Sequence, residues 1–417
     1  MPEHSSGLAL GGSASSEHDL TVVYLTRTGL LEPLGQSQVF AYLQALASNF
    51  RIVLVTCEKK ADFADRAKVD AARLSCRQIG IEWKPLPFEQ GPRSISILRQ
   101  LFQFAATVRR EHKRGKVIVH ARSYLPALAG LAMFKRYDIP FVFDMRALWP
   151  EELILARRLK RGSLVHKGLV SLERQCLMNG ETVSLTKAAA DHLEKQYPIA
   201  LAGRQIHVIP TCADLSAFTP KIEPGDQLIF GCNGTVLSGW FRLDLLARSF
   251  NALADAFPSA RLQIVTRDDH AEVKRRLAEE GCQVEKVEIF EAAPEEMPAI
   301  VQKQTASMMF FKGGLAKLGS CPTKLGEILG CGRPVISNRG IEEVYRIITD
   351  NRVGVEFVES EPATFIQSLT RLLADESLSG RCRQTAEQTF SLERGVGSYR
   401  KIYRHVSSVR NLAKQAT

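Results

Sequence analysis

The 417-residue sequence lacks any hydrophobic run near the roughly 18 residues that a membrane-spanning helix needs; its apolar runs are five to eight residues long. It has no CxxC pair and no His/Cys spacing of a zinc site, so its nine cysteines are scattered. Cys57, Cys232 and Cys331 sit among apolar or small residues, which suits buried free thiols of a cytosolic protein. No DxD-type acidic pair, Ser-His-Asp set or Cys-His set is evident, and metal independence is expected. Residues 1–18 are polar and rich in Ser and Gly, without the apolar core of a signal peptide; they read as a disordered tail. Acidic charge is short in the first half only. Of a net +10, residues 1–217 carry +9, concentrated in RREHKRGK (Arg109 to Lys116) and RRLKRG (Arg157 to Gly162). A one-sided basic excess points to an anionic partner, a lipid surface or a lipid-linked diphosphate, or to plain solvated helix faces. Neither cluster interleaves aromatics, so nucleic acid is not an expected partner.

What is present is an alternation repeated in two halves. In the first, TVVYLT (21–26), RIVLVTC (51–57), KVIVHA (116–121), PFVFDM (140–145), ETVSLT (181–186) and HVIPTC (207–212) are short apolar runs. Near-continuous rather than alternating, they predict strands buried on both faces of a parallel sheet. Helical stretches such as QSQVFAYLQALASN and SISILRQLFQFAATVRREH separate them. The second half repeats the pattern with QLIFGCNGT, RLQIVT, KVEIFEA, ASMMFF, PVISN and GVEFV. Strands spaced by helices of this length form parallel βαβ units, so the fold class is α/β with two Rossmann-like domains. The predicted division is a tail at 1–18, a first domain at 19–215, a second at 216–390 and a C-terminal basic amphipathic helix at 391–417. The linker lies within residues 213–226, where Pro220, Pro224 and Gly225 cluster.

The stretch SCPTKLGEILGCGRPVIS, Ser320 to Ser337, is the most informative. Pro322 presets a helix start and Ser320 is the candidate cap. Leu325, Ile328 and Leu329 form an apolar stripe, and Gly332 and Pro334 end the helix before the run Val335-Ile336. Lys324 and Glu327, three apart, share a face. A helix N-terminus after a small-residue loop, starting at Thr323, can take an anion, and a carboxylate one turn later can accept two hydrogen bonds from a diol. Both fit a nucleoside diphosphate. The plainer alternative is a helix packed on its sheet with Glu327 solvated.

This stretch resembles the C-terminal signature of the family-4 retaining glycosyltransferases. The resemblance covers roughly residues 20 to 405 and implies the GT-B architecture: two Rossmann-like domains facing a cleft, with the C-terminal helix packing back on the first. It implies that Glu327 holds the donor's ribose. The family's second Glu, eight residues earlier, is Gly319 here. Gly35, in LGQSQ after the first strand, stands where the family lets backbone approach the sugar and diphosphate; a plain βα turn is the alternative. His120 ends its strand where the family carries a His that approaches the donor sugar, with Arg122 where a second His is common; His120 reads equally as a core residue. Asp144 and Arg146, with Trp149 following, resemble the D-M-R-x-x-W-x-x-E segment of a bacterial polysaccharide branch. That likeness gives Asp144 an acceptor hydroxyl and Arg146 the acceptor side, or the two simply pair. The Arg/Lys pair that most members place in the turn Asn233-Gly234-Thr235 is missing. Backbone amides from Gly234 to Gly239 and the side chains of Arg242, Arg267, Lys312 and Lys324 are the candidate replacements.

The resemblance implies transfer of a sugar from a nucleotide-diphosphate sugar, of UDP or GDP type, to a glycan or lipid-linked acceptor with retention, without metal or other cofactor. It implies a role in bacterial surface polysaccharide synthesis, in a cytoplasmic protein peripheral on the inner face of the cell membrane. A nucleotide-sugar epimerase of the same fold, and a degenerate member that binds a glycan or partner without turnover, are the alternatives.

Overall fold

The computed structural model describes residues 19–88, 93–220 and 227–415; the expected tail and residues 221–226 of the expected linker lie outside them. Thirteen strands build two sheets among the described residues. The first contains β1 (Leu20–Leu25), β2 (Arg51–Glu58), β3 (Ile81–Pro87), β4 (Lys116–Arg122), β5 (Phe141–Asp144), β6 (Glu181–Ser184) and β7 (Ile206–Val208). Their order across the sheet is β3-β2-β1-β4-β5-β6-β7. The second contains β8 (Ile229–Asn233), β9 (Arg261–Val265), β10 (Val287–Phe290), β11 (Ala306–Met309), β12 (Val335–Ser337) and β13 (Gly354–Glu356), in the order β10-β9-β8-β11-β12-β13, every pair parallel. Each chain of strands starts in the middle of its sheet, builds outward one way, then returns and builds the other way. That doubly wound order is the expected α/β class.

The strand cores follow from sequence. Every residue of β1 and all but the first of β2 and β4 are buried, because helices cover both sheet faces. β3 was not among the expected strands: IEWKPLP contains Pro85 and Pro87, which cannot donate to a ladder. It forms because it lies at the sheet edge and pairs with β2 alone.

The chain divides into two compact units. The first comprises residues 1–143, 179–181 and 400–417; the second comprises 144–178 and 182–399. In the first unit Tyr403, from the C-terminal helix Leu392–Gln415, is fully buried against Phe50 and His120. In the second, helix Leu243–Ala256 packs Leu246, Phe250 and Leu253 onto Phe230, Leu262 and Ile264. Helix Thr323–Gly330 packs Leu325, Ile328 and Leu329 with Val335, Ile348 and Phe390. Two local features differ from expectation. The first-strand loop leads into a short helix, Pro33–Gly35, and a π-helical turn, Gln36–Phe40, before helix Ala41–Leu46. Ser320 does not cap helix Thr323–Gly330; Pro322 itself occupies the N-cap position, its carbonyl accepting from the amide of Leu325. The helix ends as its sequence predicts. Gly332 has φ +72°, and the amides of Gly332 and Arg333 reach back to the carbonyls of Leu329 and Ile328 in a Schellman closure.

Candidate active site

In the second sheet the chain leaves β8 toward β9 on one side and later returns to build β11 on the other. The loops after β8 and β11 therefore part at their carboxyl ends, and such a switch point is where doubly wound sheets hold ligands. Helix Thr323–Gly330 follows the β11 loop, with Lys324 and Glu327 on one face one turn apart.

The ammonium of Lys324 donates to the carbonyl of Asn233, the last residue of β8. Gly234 follows with φ +95°, and a Cβ there would meet Nζ of Lys324 at 1.9 Å. The glycine thus serves both the turn and the lysine. Both side chains, Lys324 and Glu327, are half-buried. Burial lowers the affinity of Lys324 for its proton, while Cys232, Glu327 and Asp268 act in the opposite sense. Burial likewise raises Glu327, with Lys324 countering. Among the described residues no hydrogen bond reaches the Glu327 carboxylate, and Lys324 has two further N–H donors beyond the one on Asn233. A cation with donors to give and a carboxylate with acceptors to give, a turn apart, match a phosphate and a diol on one ligand.

The loop after β8 is held differently from its expected use. The Asp268 carboxylate accepts the amides of Val236 at 2.6 Å and Leu237 at 2.9 Å, and the amide of Gly234 goes to the carbonyl of Val265. Three of the amides expected to face a phosphate thus already have acceptors. The Asn233 carboxamide bonds to buried Gln304, so only its carbonyl serves Lys324. Arg242 is tied to Asp244 beside it, while Arg267 and Lys312 are exposed. Thr323 takes the first helical position.

Lys317 escaped the sequence reading. It lies in the 3-10 turn Leu315–Gly319 with Nζ 4.5 Å from the ring centre of Trp240, which the β8 loop supplies. Burial lowers its proton affinity and nearby Glu152 raises it; burial lifts Glu152, and Lys317 counters. No spacing signals this cluster, because its members are far apart in sequence. Gly319 ends the same turn. A Cβ there would lie 3.0 Å from the Leu148 nitrogen and 3.3 Å from the Ala147 Cα. A side chain here would crowd that backbone.

Asp144 and Arg146 come together, Arg146 lying 3.5 Å from the buried Asp144 carboxylate, which also takes the Tyr399 hydroxyl at 3.2 Å. Arg146 has φ +59°, a conformation that costs a non-glycine residue energy and here re-aims the chain into Ala147 and Leu148. In the first unit, β1 and β4 flank the corresponding switch point. Arg122 donates to Thr28 at 3.2 Å, joining the end of β4 to the loop after β1. His120 is buried, stacked on Tyr24 at 4.1 Å with Nδ1 2.6 Å from the Tyr403 hydroxyl. Gly35 is required by its neighbours: a Cβ would strike the Gly29 carbonyl. Buried Glu58 braces that loop by accepting the amides of Leu30 and Leu31. Among the described residues no group of three or more His, Cys, Asp or Glu could hold a metal ion, and no helix is long and apolar enough to cross a membrane.

Two family models match the chain. A model of Glycosyltransferase Family 4 matches residues 35–217, and one of Glycosyl transferases group 1 matches residues 228–375. No curated protein matches. Among solved structures, a glycosyltransferase from Rickettsia africae aligns with TM-score 0.65 at 14% identity, over 93% of this chain and 98% of that one. Sucrose-phosphate synthase from Thermosynechococcus elongatus aligns with TM-score 0.62 at 14% identity, over 94% and 100%. Anabaena HepE in complex with UDP and glucose aligns with TM-score 0.60 at 12% identity, over 94% and 99%. At such identities the likeness is one of fold, and the fold is GT-B. With one model on each half of the chain, this protein is a glycosyltransferase, built of a Family 4 domain at residues 35–217 and a group 1 domain at residues 228–375.

Proposed function

We propose that this glycosyltransferase binds a nucleotide-diphosphate sugar at the β8/β11 switch point and moves its sugar to a glycan or lipid-linked acceptor with retention. The observation that carries the reading is the pairing of Lys324 and Glu327 on one helical face, with Lys324 seated on the turn after β8. Glu327 accepts the ribose hydroxyls and Lys324 contacts the diphosphate. A UDP-type donor is favoured, since HepE, of like fold, is seen with UDP and with UDP-glucose.

In the reaction the acceptor oxygen bonds to the anomeric carbon on the face that the diphosphate leaves. The anomeric carbon–oxygen bond breaks, and the acceptor proton passes to the departing phosphate. Protein groups orient the partners and stabilise the charge that develops on the diphosphate. Lys324 supplies fixed positive charge there, and no step calls for a metal. The acceptor side belongs to Asp144 and Arg146. His120, held by Tyr24 and Tyr403, is the residue proposed for the sugar side. The product is a bacterial surface polysaccharide, built by a cytoplasmic protein resting on the inner face of the cell membrane.

Calorimetric titration of wild type and Glu327→Ala with UDP, GDP, ADP and CMP tests the donor site. Binding of one nucleotide, lost in the variant, is expected; equal binding by the variant would refute it. A binding protein without turnover is favoured by one observation, the backbone that crowds Gly319, the place of the family's other Glu. Sugar release from the bound donor in the presence of acceptor glycans separates the two readings.

A further inference from the structure

Helix Arg93–His112 of the first unit is turned inside out over its first turns. An amphipathic helix normally buries its apolar stripe. Here Ser96 and Gln100 are buried, with Phe104, Thr107 and Val108 following on the same inner face, while Ile95, Leu98 and Phe102 stand outward at 64%, 66% and 75% exposure. These three recur at i, i+3 and i+7 and so form one stripe along the outer face. Farther along the helix the outer face turns cationic with Arg109 and Arg110, and Lys113, Arg114 and Lys116 follow, all exposed, as is Arg99 beside Leu98. The helix has one acidic residue, Glu111, and it is buried beneath Arg51, Lys84 and Arg114. Arg109 lies over the Tyr137 ring.

Large apolar side chains left in water mark a surface that something covers. Apolar residues alone would suit another protein. An apolar stripe continuous with a band of cations, and no exposed carboxylate on the helix, matches a lipid surface: acyl chains for the stripe and anionic headgroups for the band.

We propose that the outer face of helix Arg93–His112 lies in an anionic membrane surface, with Ile95, Leu98 and Phe102 below the headgroups and Arg109, Arg110, Lys113 and Arg114 at their level. It rests on the membrane-side acceptor of the proposed function, but not on the donor site. The surface holds the first unit where a lipid-linked acceptor is presented.

The test is flotation of the full chain with vesicles of phosphatidylcholine alone and of phosphatidylcholine with phosphatidylglycerol, for wild type, Leu98→Ser with Phe102→Ser, and Arg109→Gln with Arg110→Gln. Wild type is expected to float with the anionic vesicles only, less so as salt rises. The apolar double variant should bind them at least tenfold more weakly, and the cationic double variant should lose binding most at low salt. Titration with UDP on the same samples should be unchanged, which shows that the variants are folded and separates this proposal from the donor-site reading. Wild type that fails to float, or an apolar variant that floats as well as wild type, would overturn it. So would a concentration-dependent dimer, found by sedimentation, that the apolar variant abolishes, since the stripe would then be a contact between copies.

Discussion

Gly234 and Lys324 occupy one another's space: the hydrogen that glycine carries in place of a Cβ is what lets Nζ of Lys324 reach the Asn233 carbonyl. The two residues are ninety apart in sequence and belong to different βα units, yet a side chain at 234 would meet the ammonium of Lys324. Gly234→Ala would put a side chain at φ +95°, at a cost of about 1–2 kcal/mol, and would expel the ammonium. We expect UDP affinity to fall tenfold or more, by calorimetry, with a lowered melting temperature. Unchanged affinity would remove Lys324 from the donor site.

Nucleotide affinity should follow a bell in pH. The acid limb belongs to Glu327, whose carboxyl is raised by burial, with Lys324 countering. As pH falls through that raised value the carboxylate gains a proton and loses acceptor capacity. The decline therefore begins above the ordinary Glu range near 4.3. The alkaline limb belongs to Lys324, lowered by burial, which sheds its charge before an ordinary lysine does. In Glu327→Gln the acid limb should vanish and the alkaline limb remain; titrations across the pH range read both.

Restoring the family's glutamate should not restore the family's site. Gly319→Glu adds a Cβ 3.0 Å from the Leu148 nitrogen, where backbone must give way. We expect a loss of about 1–3 kcal/mol in stability and no gain in sugar transfer. A variant with raised turnover would show that the space can open.

Asp268 should matter more than its place outside the signature suggests. It accepts two loop amides, so Asp268→Ala leaves both without their partner and frees the loop beside Lys324. Urea unfolding should show a loss of about 1–3 kcal/mol, and nucleotide affinity should fall with it.

Stability against acid should depend on Glu111. Burial alone would raise its carboxyl, but hydrogen bonds from Lys84 and Arg51 bring it down to about 2. A carboxyl lower in the folded than in the unfolded chain stabilises above its unfolded value and loses that contribution as pH falls through its folded one. The loss should span roughly pH 4.5 to 2, and Glu111→Gln should remove that slope. At neutral pH we expect the variant to be less stable by about 2 kcal/mol, below the 3–5 of a fully buried pair because Arg51 and Arg114 are partly exposed.

What the sequence determined by itself is whatever depends on near neighbours in the chain. Continuous apolar runs marked the central strands, because a strand covered on both faces needs no alternation. The spacing of Lys324 and Glu327, with Gly332 and Pro334 behind them, marked the signature helix and its end. Only tertiary structure decided the rest. β3 exists despite its prolines because edge pairing spares them. The amides of the β8 loop are taken by Asp268, and Arg242 by Asp244, so candidates equal in sequence became unequal. Lys317 meets Trp240, His120 is enclosed by Tyr24 and Tyr403, and Gly319 is closed by Leu148, all through contacts that chain separation hides. Helix Arg93–His112 shows the same division: its periodicity named the helix, but only packing revealed that Phe104 and Val108 are buried while Ile95, Leu98 and Phe102 are left outside.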